Sequence, residues 1–439
     1  MISSNKGTLI AGILLLITLI SVFCRDQILE QGGTNDLRNR VVGARLQKDG
    51  ILPYFYRSND IPMRYYGITH AVNGVSDITS SPFQHTLFYL FAEYPQRPIS
   101  RIWFFVQYIT LLITCLLAYR LSKTNGEKIA VSLAMMFFLC IEGWKVHIAQ
   151  GQTYILIPFS AMMIYYCLSK RESLPAAFIA GLTAIVLVLI RPNVAIFFIP
   201  FLFIIKSYSR KYLTVFAIPI VLLSIIYFTP EKNRLFWKDY FSAIEASIEY
   251  HQGLASPKLV VTPKKNVLKS YEGWNVFEIK KIQNLAVYKQ YSEHGNAFVI
   301  YKNLFHTNMP VPVLNLICGS SIILLVLLFY FTSKKHGMLE LPNVAIFAFS
   351  LYMLSDLFSP VWRHQYYTVQ WLFPLLVAAS VYKPKNKWVY AFILLGLLLN
   401  ITNTYLIKME HTIGEYIFLL TFFYMSLTKS TSAGPASIS

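Results

Sequence analysis

Apolar runs long enough to cross a bilayer recur along nearly the whole chain, parted by short polar turns, and this rhythm constrains the fold more than any motif does. They lie at residues 7–24, 101–121, 128–143, 153–168, 212–228, 311–332, 341–358, 366–382, 388–405 and 413–427, and another apolar stretch ends at Lys206. A membrane β-barrel would instead alternate apolar and polar positions over short strands. Only 14% of residues are charged while 55% are hydrophobic, which excludes an ordinary soluble domain. The chain therefore reads as an all-α membrane protein, a single polytopic domain over residues 1–439.

The net charge of +18 does not point to nucleic acid, because the basic residues sit mostly in short loops between apolar runs. There they report topology and contact with anionic headgroups. Arg191-Pro192-Asn193 splits the apolar stretch before Lys206 into either two spans or one kinked helix. Counting two puts the loops holding Lys123, Lys170, Arg171, Lys206, Arg210, Lys211, Lys334, Lys335 and Lys385 on one side, as the positive-inside rule requires. The total is then about twelve spans, with both termini cytoplasmic. Residues 25–100 become a first outer loop and residues 229–310 a second, the turns at Gln152, Arg191 and His364 sharing their face. Within the second loop, residues 235–250 form a surface helix whose aromatics suit the headgroup layer. The N-terminal run is read as an uncleaved span, and the five cysteines as core residues rather than a disulfide framework.

Asp36 follows the first span closely. Residues 37–47 can form a helix capped by Thr34 or Asn35, so Asp36 either complements the helix dipole or does chemistry at the membrane surface. Arg38, Arg40 and Arg45 on that helix suit a phosphate, or equally an anionic lipid surface. An arginine breaking an apolar stretch, as Arg191 does, faces a ligand or snorkels to the interface. The outer turn of residues 359–367 gathers Trp362, Arg363, His364, Tyr366 and Tyr367; alone it resembles an aromatic belt, but it shares a face with Asp36 and Arg191. Gly151-Gln152 opens a span on that same face, as a cap or as a sugar or phosphate contact. No Walker or Rossmann glycine pattern, zinc-ligand spacing or 20–50-residue repeat is present.

These motifs, in order, are Asp36-x-Arg38, Lys48-x-Gly50-x-x-Pro53-Tyr54, Ser81-Pro82, Gly151-Gln152, Arg191-Pro192 and Ser359-Pro360-x-Trp362-x-His364. The arrangement resembles glycosyltransferase family 87, the polyprenol-phosphate-mannose-dependent mannosyltransferases of the GT-C fold. It departs from that family where a Tyr-x-x-Pro-Pro-like element is reduced to Ser81-Pro82 and where Arg191 stands for a lysine. Residues 229–310 match no part of the pattern and are assigned to the acceptor side. The resemblance implies a GT-C type helical bundle with outer-face loops and juxtamembrane helices. It further implies transfer of a hexose, mannose by default, from a polyprenyl-phosphate-linked donor to a lipid or glycan hydroxyl, with inversion. Asp36 would be the base and His364 a second catalytic group. Arg191, Arg38 and Arg363 would bind the donor phosphate, and Gln152, Tyr54 and Trp362 the substrates. Neither a metal nor a cofactor is expected, and the site would face the outside of the cell inner membrane. A secondary transporter or a lipid-linked oligosaccharide flippase is the rival reading; a transporter predicts a repeat between halves, which the chain lacks.

Overall fold

The computed structural model describes residues 2–30, 34–54, 65, 78–251, 295–337, 339–361, 363–381, 386–401 and 409–428. Among these, every regular element is a helix, so the all-α expectation is borne out. The order is α1 (Ile2–Glu30), α2 (Asn35–Lys48), α3 (Pro82–Phe88), α4 (Gln96–Leu121), α5 (Asn125–Cys140), α6 (Glu142–Gln150), α7 (Leu156–Leu168) and α8 (Leu174–Ile190). A 3₁₀ helix over Pro192–Ser207 precedes α9 (Arg210–Phe228) and α10 (Glu231–His251). Then come α11 (Ala297–Phe305), α12 (Val311–His336), α13 (Leu341–Leu357), a 3₁₀ turn over Gln365–Trp371, α14 (Leu372–Val381), α15 (Trp388–Ile401) and α16 (Glu410–Ser426).

Four of these helices are long and apolar enough to cross a bilayer unaided, and a fifth joins them if α5 and α6, bent by 60°, count as one span. Five other apolar helices are shorter, so length alone does not reach the expected twelve. The break at Arg191 is real: its backbone is extended at φ −145°, ψ 93°, and Pro192 starts the 3₁₀ helix with the proline at its first turn. All five cysteines are free.

The bundle is layered around α13, whose residues are almost all buried. The 3₁₀ helix, α7, α14 and α16 pack around it, and one continuous apolar core joins them. Outside lie α1, α9 and α12, whose leucines and isoleucines remain exposed, as lipid-facing helices require. Between apolar helices in lipid, close backbone packing replaces the hydrophobic drive. Gly181 on α8 permits it, since a β-carbon there would meet the Phe216 carbonyl of α9 at 1.9 Å.

Alternation of the helices gathers the basic turns at one end. There the Asn125 side chain donates to Asn5 at 3.0 Å, and the hydroxyls of Tyr208 and Tyr212 donate to the Leu168 and Cys167 carbonyls. Gathered at the other end are α2, α3, the α6–α7 turn, Arg191 and the loop before the second 3₁₀ turn. The amphipathic helix expected at residues 235–250 exists as α10, but its aromatic face does not lie on the headgroups. Phe236, Trp237 and Tyr240 are buried, Trp237 and Tyr240 in a small core shared with Tyr54 and Tyr227, leaving Leu235 and Phe241 outward.

Candidate active site

The site begins where the chain leaves α1. Thr34, in the left-handed conformation at φ 34°, ψ 56°, occupies the N-cap of α2 without capping it; its hydroxyl bonds instead to Ser100 Oγ at 2.9 Å, pinning α2 to α4. Despite its basic sequence α2 is not a solvated face, for Leu37, Arg38, Arg40, Val41, Val42, Arg45 and Leu46 are all buried. Arg45 serves packing, donating to the Ala92 carbonyl at 2.6 Å and the Tyr94 carbonyl at 3.2 Å. Asp36, in the first turn, is partly exposed between these buried neighbours.

Its carboxylate is engaged from across the bundle. Gln152 donates from Nε2 to Asp36 Oδ2, while Gln152 Oε1 accepts from Arg40 Nη2 at 2.5 Å. The amide is thereby oriented from both ends. What brings Gln152 there is Gly151, which takes φ +63° to end α6 and lies so close to α2 that a β-carbon would meet Leu37 Cβ at 2.7 Å. The Gln152 carbonyl accepts from the Trp103 indole at 3.1 Å, and Thr153 accepts from Gln84 at 2.7 Å, fixing the turn against α4 and α3. Burial pushes the Asp36 carboxyl above the usual range, and Arg40, Arg38 and the Gln152 N–H pull it partly back. Arg40 is buried, and its Nε and Nη1 have no partner among the described residues.

A stack of rings continues the site. His364 lies on Tyr366 at 5.1 Å, Tyr366 on Tyr367 at 5.2 Å, and Tyr154, two residues after Gln152, meets Tyr366 at 5.5 Å and Tyr367 at 4.2 Å. The charges of Asp36 and Arg40 reach the Tyr366 phenol, so the stack joins the two halves of the site. Arg191 stands over Tyr154 at 4.8 Å and over Tyr367 at 5.2 Å, and Arg363 over Tyr367 at 5.2 Å. Both arginines pair with Asp356 on α13, and Arg363 also pairs with Glu415 on α16. Burial lowers the His364 imidazole to about 4, so the ring is neutral near pH 7 and offers a hydrogen bond rather than a charge.

The structure thus brings together Asp36, Gln152, Arg191, Arg363 and His364, with Arg38 on the same helix as Asp36. Tyr54 is not with them: its ring packs on His85 at 5.8 Å and Tyr240 at 5.6 Å, and its hydroxyl donates to the Ser80 carbonyl at 2.8 Å. Trp362 lies outside the described residues. The residues that sequence reasoning missed are Tyr154, Asp356 and Glu415, whereas Arg40 was already in the basic cluster of α2. Each acid had a signal, being the one charged residue in an apolar run. Among the described residues no three His, Cys, Asp or Glu side chains are grouped to hold a metal.

Apolar helices around a polar, guanidinium-rich centre at one end define a multi-pass membrane protein with a single-ended site. Residues 79–260 match the model of glycosyltransferase family 87, so over that stretch the chain is similar to the family that its motifs resemble. Gln152, Tyr154 and Arg191 fall within it; Asp36, Arg363 and His364 fall outside. No curated protein matches the chain. Similar solved structures include two oligosaccharyltransferase structures. The archaeal oligosaccharyltransferase AglB from Archaeoglobus fulgidus, in complex with an inhibitory peptide and a dolichol-phosphate, shares 12% identity over 95% of this chain and 56% of that one, with a TM-score of 0.37. The Archaeoglobus fulgidus oligosaccharyltransferase in its apo form shares 13% identity over the same shares of each chain, with a TM-score of 0.35. The chain spans little more than half the length of either.

Proposed function

We propose that the protein is a GT-C type transferase that moves a hexose, mannose first among candidates, from a polyprenyl-phosphate-linked donor to a hydroxyl of a lipid or glycan acceptor. The observation that carries this reading is the Arg40–Gln152–Asp36 chain, which holds a carboxylate in a fixed orientation beside unpartnered guanidinium nitrogens. With Oδ2 engaged by Gln152, Oδ1 of Asp36 is the oxygen left to take the acceptor's proton. The acceptor oxygen then attacks the anomeric carbon as the carbon–oxygen bond to phosphate breaks, a single displacement that inverts the centre. Polyprenyl phosphate departs with one more negative charge than it carried in the donor. Arg191, Arg363, Arg38 and Arg40 are the cations placed to stabilise that charge, and neutral His364 can donate a hydrogen bond to phosphate or acceptor. Guanidinium groups serve here in the role a metal would otherwise fill, so the reading calls on no metal or cofactor. The basic turns at the opposite end support an outer-face site in the inner membrane and cytoplasmic termini.

The test is transfer of radiolabelled sugar from polyprenyl phosphate by purified wild type and Asp36→Asn, with membrane lipid extract as acceptor. Asparagine keeps size and the Gln152 contact while removing the base. Loss of about a hundredfold or more in a folded variant is expected for a general base. Transfer that survives the substitution would refute Asp36 as base, and no transfer by wild type would refute the function.

A further inference from the structure

Arg191 and Arg363 reach the site from different elements, Arg191 from the end of α8 and Arg363 from the loop before the second 3₁₀ turn. One carboxylate joins them. Asp356, in the last turn of α13, accepts from Arg191 Nη2 on Oδ1 and from Arg363 Nε at 3.0 Å on Oδ2. The two guanidinium groups then each lie over Tyr367, 5.2 Å from its centroid. Glu415 takes the other arm of Arg363 on Oε1 and is itself held by Thr368 Oγ1 at 3.0 Å and Trp371 Nε1 at 2.8 Å. Gln370, which accepts from the Tyr352 hydroxyl, turns its Nε2 toward Asp356 Oδ2 at 3.4 Å and the Tyr367 carbonyl at 3.1 Å. Asp356, Arg363, Gln370, Trp371 and Glu415 are all buried.

A bundle that needed only packing would place apolar side chains here, because a buried ion pair recovers little more than its own desolvation. A carboxylate ending the apolar, buried helix α13 is instead a device for location. Without it, two like charges facing one phenol ring would repel. Arg363 Nη2 is buried and has no partner among the described residues, so the clamp leaves one donor uncommitted.

We propose that Asp356 is the positioning residue of the donor-phosphate subsite: it acts through Arg191 and Arg363, holding both guanidinium groups about Tyr367 so that they meet the phosphate together. This rests on the proposed function. Glu415 supports the clamp from the Arg363 side.

The experiment measures binding of a short-chain polyprenyl phosphate, which carries the phosphate without the sugar, to wild type, Asp356→Asn and Asp356→Glu in detergent. Thermal midpoints and the KM for donor and acceptor are recorded alongside. Asparagine removes the charge that both arginines share and can destabilise the fold. Glutamate keeps the charge but moves it by one methylene. The expected result is at least tenfold weaker polyprenyl phosphate binding and a correspondingly raised donor KM in Asp356→Glu, with its midpoint and acceptor KM near wild type. A purely structural role would move the midpoint and leave the donor-to-acceptor KM ratio unchanged. A folded Asp356→Glu that binds polyprenyl phosphate like wild type overturns the proposal, and so does failure of both variants to fold. Wild type that neither binds polyprenyl phosphate nor transfers sugar defeats the proposed function instead.

Discussion

At the scale of single residues, the site turns on how Asp36 is held. A base works ionised, so activity falls as pH drops through its pKa, and burial has raised that pKa while Gln152 opposes the rise. Gln152→Leu keeps the bulk and removes the N–H that favours the ionised form. The acidic limb of the kcat/KM profile should therefore move to higher pH by about one unit, the equivalent of one hydrogen bond to a charged group. A limb that stays in place, in a variant that still turns over, would show that Asp36 is not the titrating base. Much of this was legible beforehand: an aspartate just past the first span, a glycine before a glutamine, and an arginine breaking an apolar stretch each departed from what their surroundings favour. Asp356 and Glu415 depart in the same way, yet an acid inside a span names no partner. The partners lie on elements that only the packing of α13 and α16 against the second 3₁₀ turn brings close. Tyr54 shows the reverse case, a residue in a motif whose hydroxyl is spent on the backbone.

Among elements, the contact of α2 with α3 decides whether Asp36 stays in place. His85 is fully buried at that contact, its Nδ1 3.2 Å from Gln47 Oε1, and burial with the nearby Arg40 charge lowers it to about 3. In the unfolded chain a histidine titrates near 6.5. Between about 6.5 and about 3 the unfolded state therefore binds the extra proton, so stability is full above that window and is lost as pH falls through it. The loss reaches about 2 kcal/mol at pH 5. Thermal midpoints in detergent should accordingly fall from pH 7.5 to pH 5, and His85→Gln should flatten that slope; parallel slopes would assign the acid sensitivity elsewhere. The sequence places α2 by its candidate capping residues and α10 by aromatics gathered on one face. It does not say what covers that face. The aromatics of α10 seemed fitted for headgroups and instead complete a protein core with Tyr54 and Tyr227.

For the whole molecule, the two ends differ in kind. One carries the basic turns, tied together by Asn5 with Asn125 and by Tyr208 and Tyr212 with the end of α7; the other carries every acid and guanidinium group of the site. Short helices, a 60° bend and a 3₁₀ stretch make up much of the bundle, so helix length alone does not reach the twelve spans expected. The sidedness rests on charge alone and is open to direct measurement. Glu93 is exposed at the site end, where Lys48 approaches it at 3.1 Å, and Lys123 is exposed in the turn after α4. In a background with the five native cysteines replaced, Glu93→Cys and Lys123→Cys are each made in turn and treated in spheroplasts with a membrane-impermeant maleimide. Position 93 should label in intact spheroplasts, and position 123 only after permeabilisation. The opposite pattern would place the arginines and Asp36 on the cytoplasmic face, where a donor presented with its sugar outside could not reach them. It would leave the geometry of the site standing while removing the outer-face glycosyl transfer proposed for it.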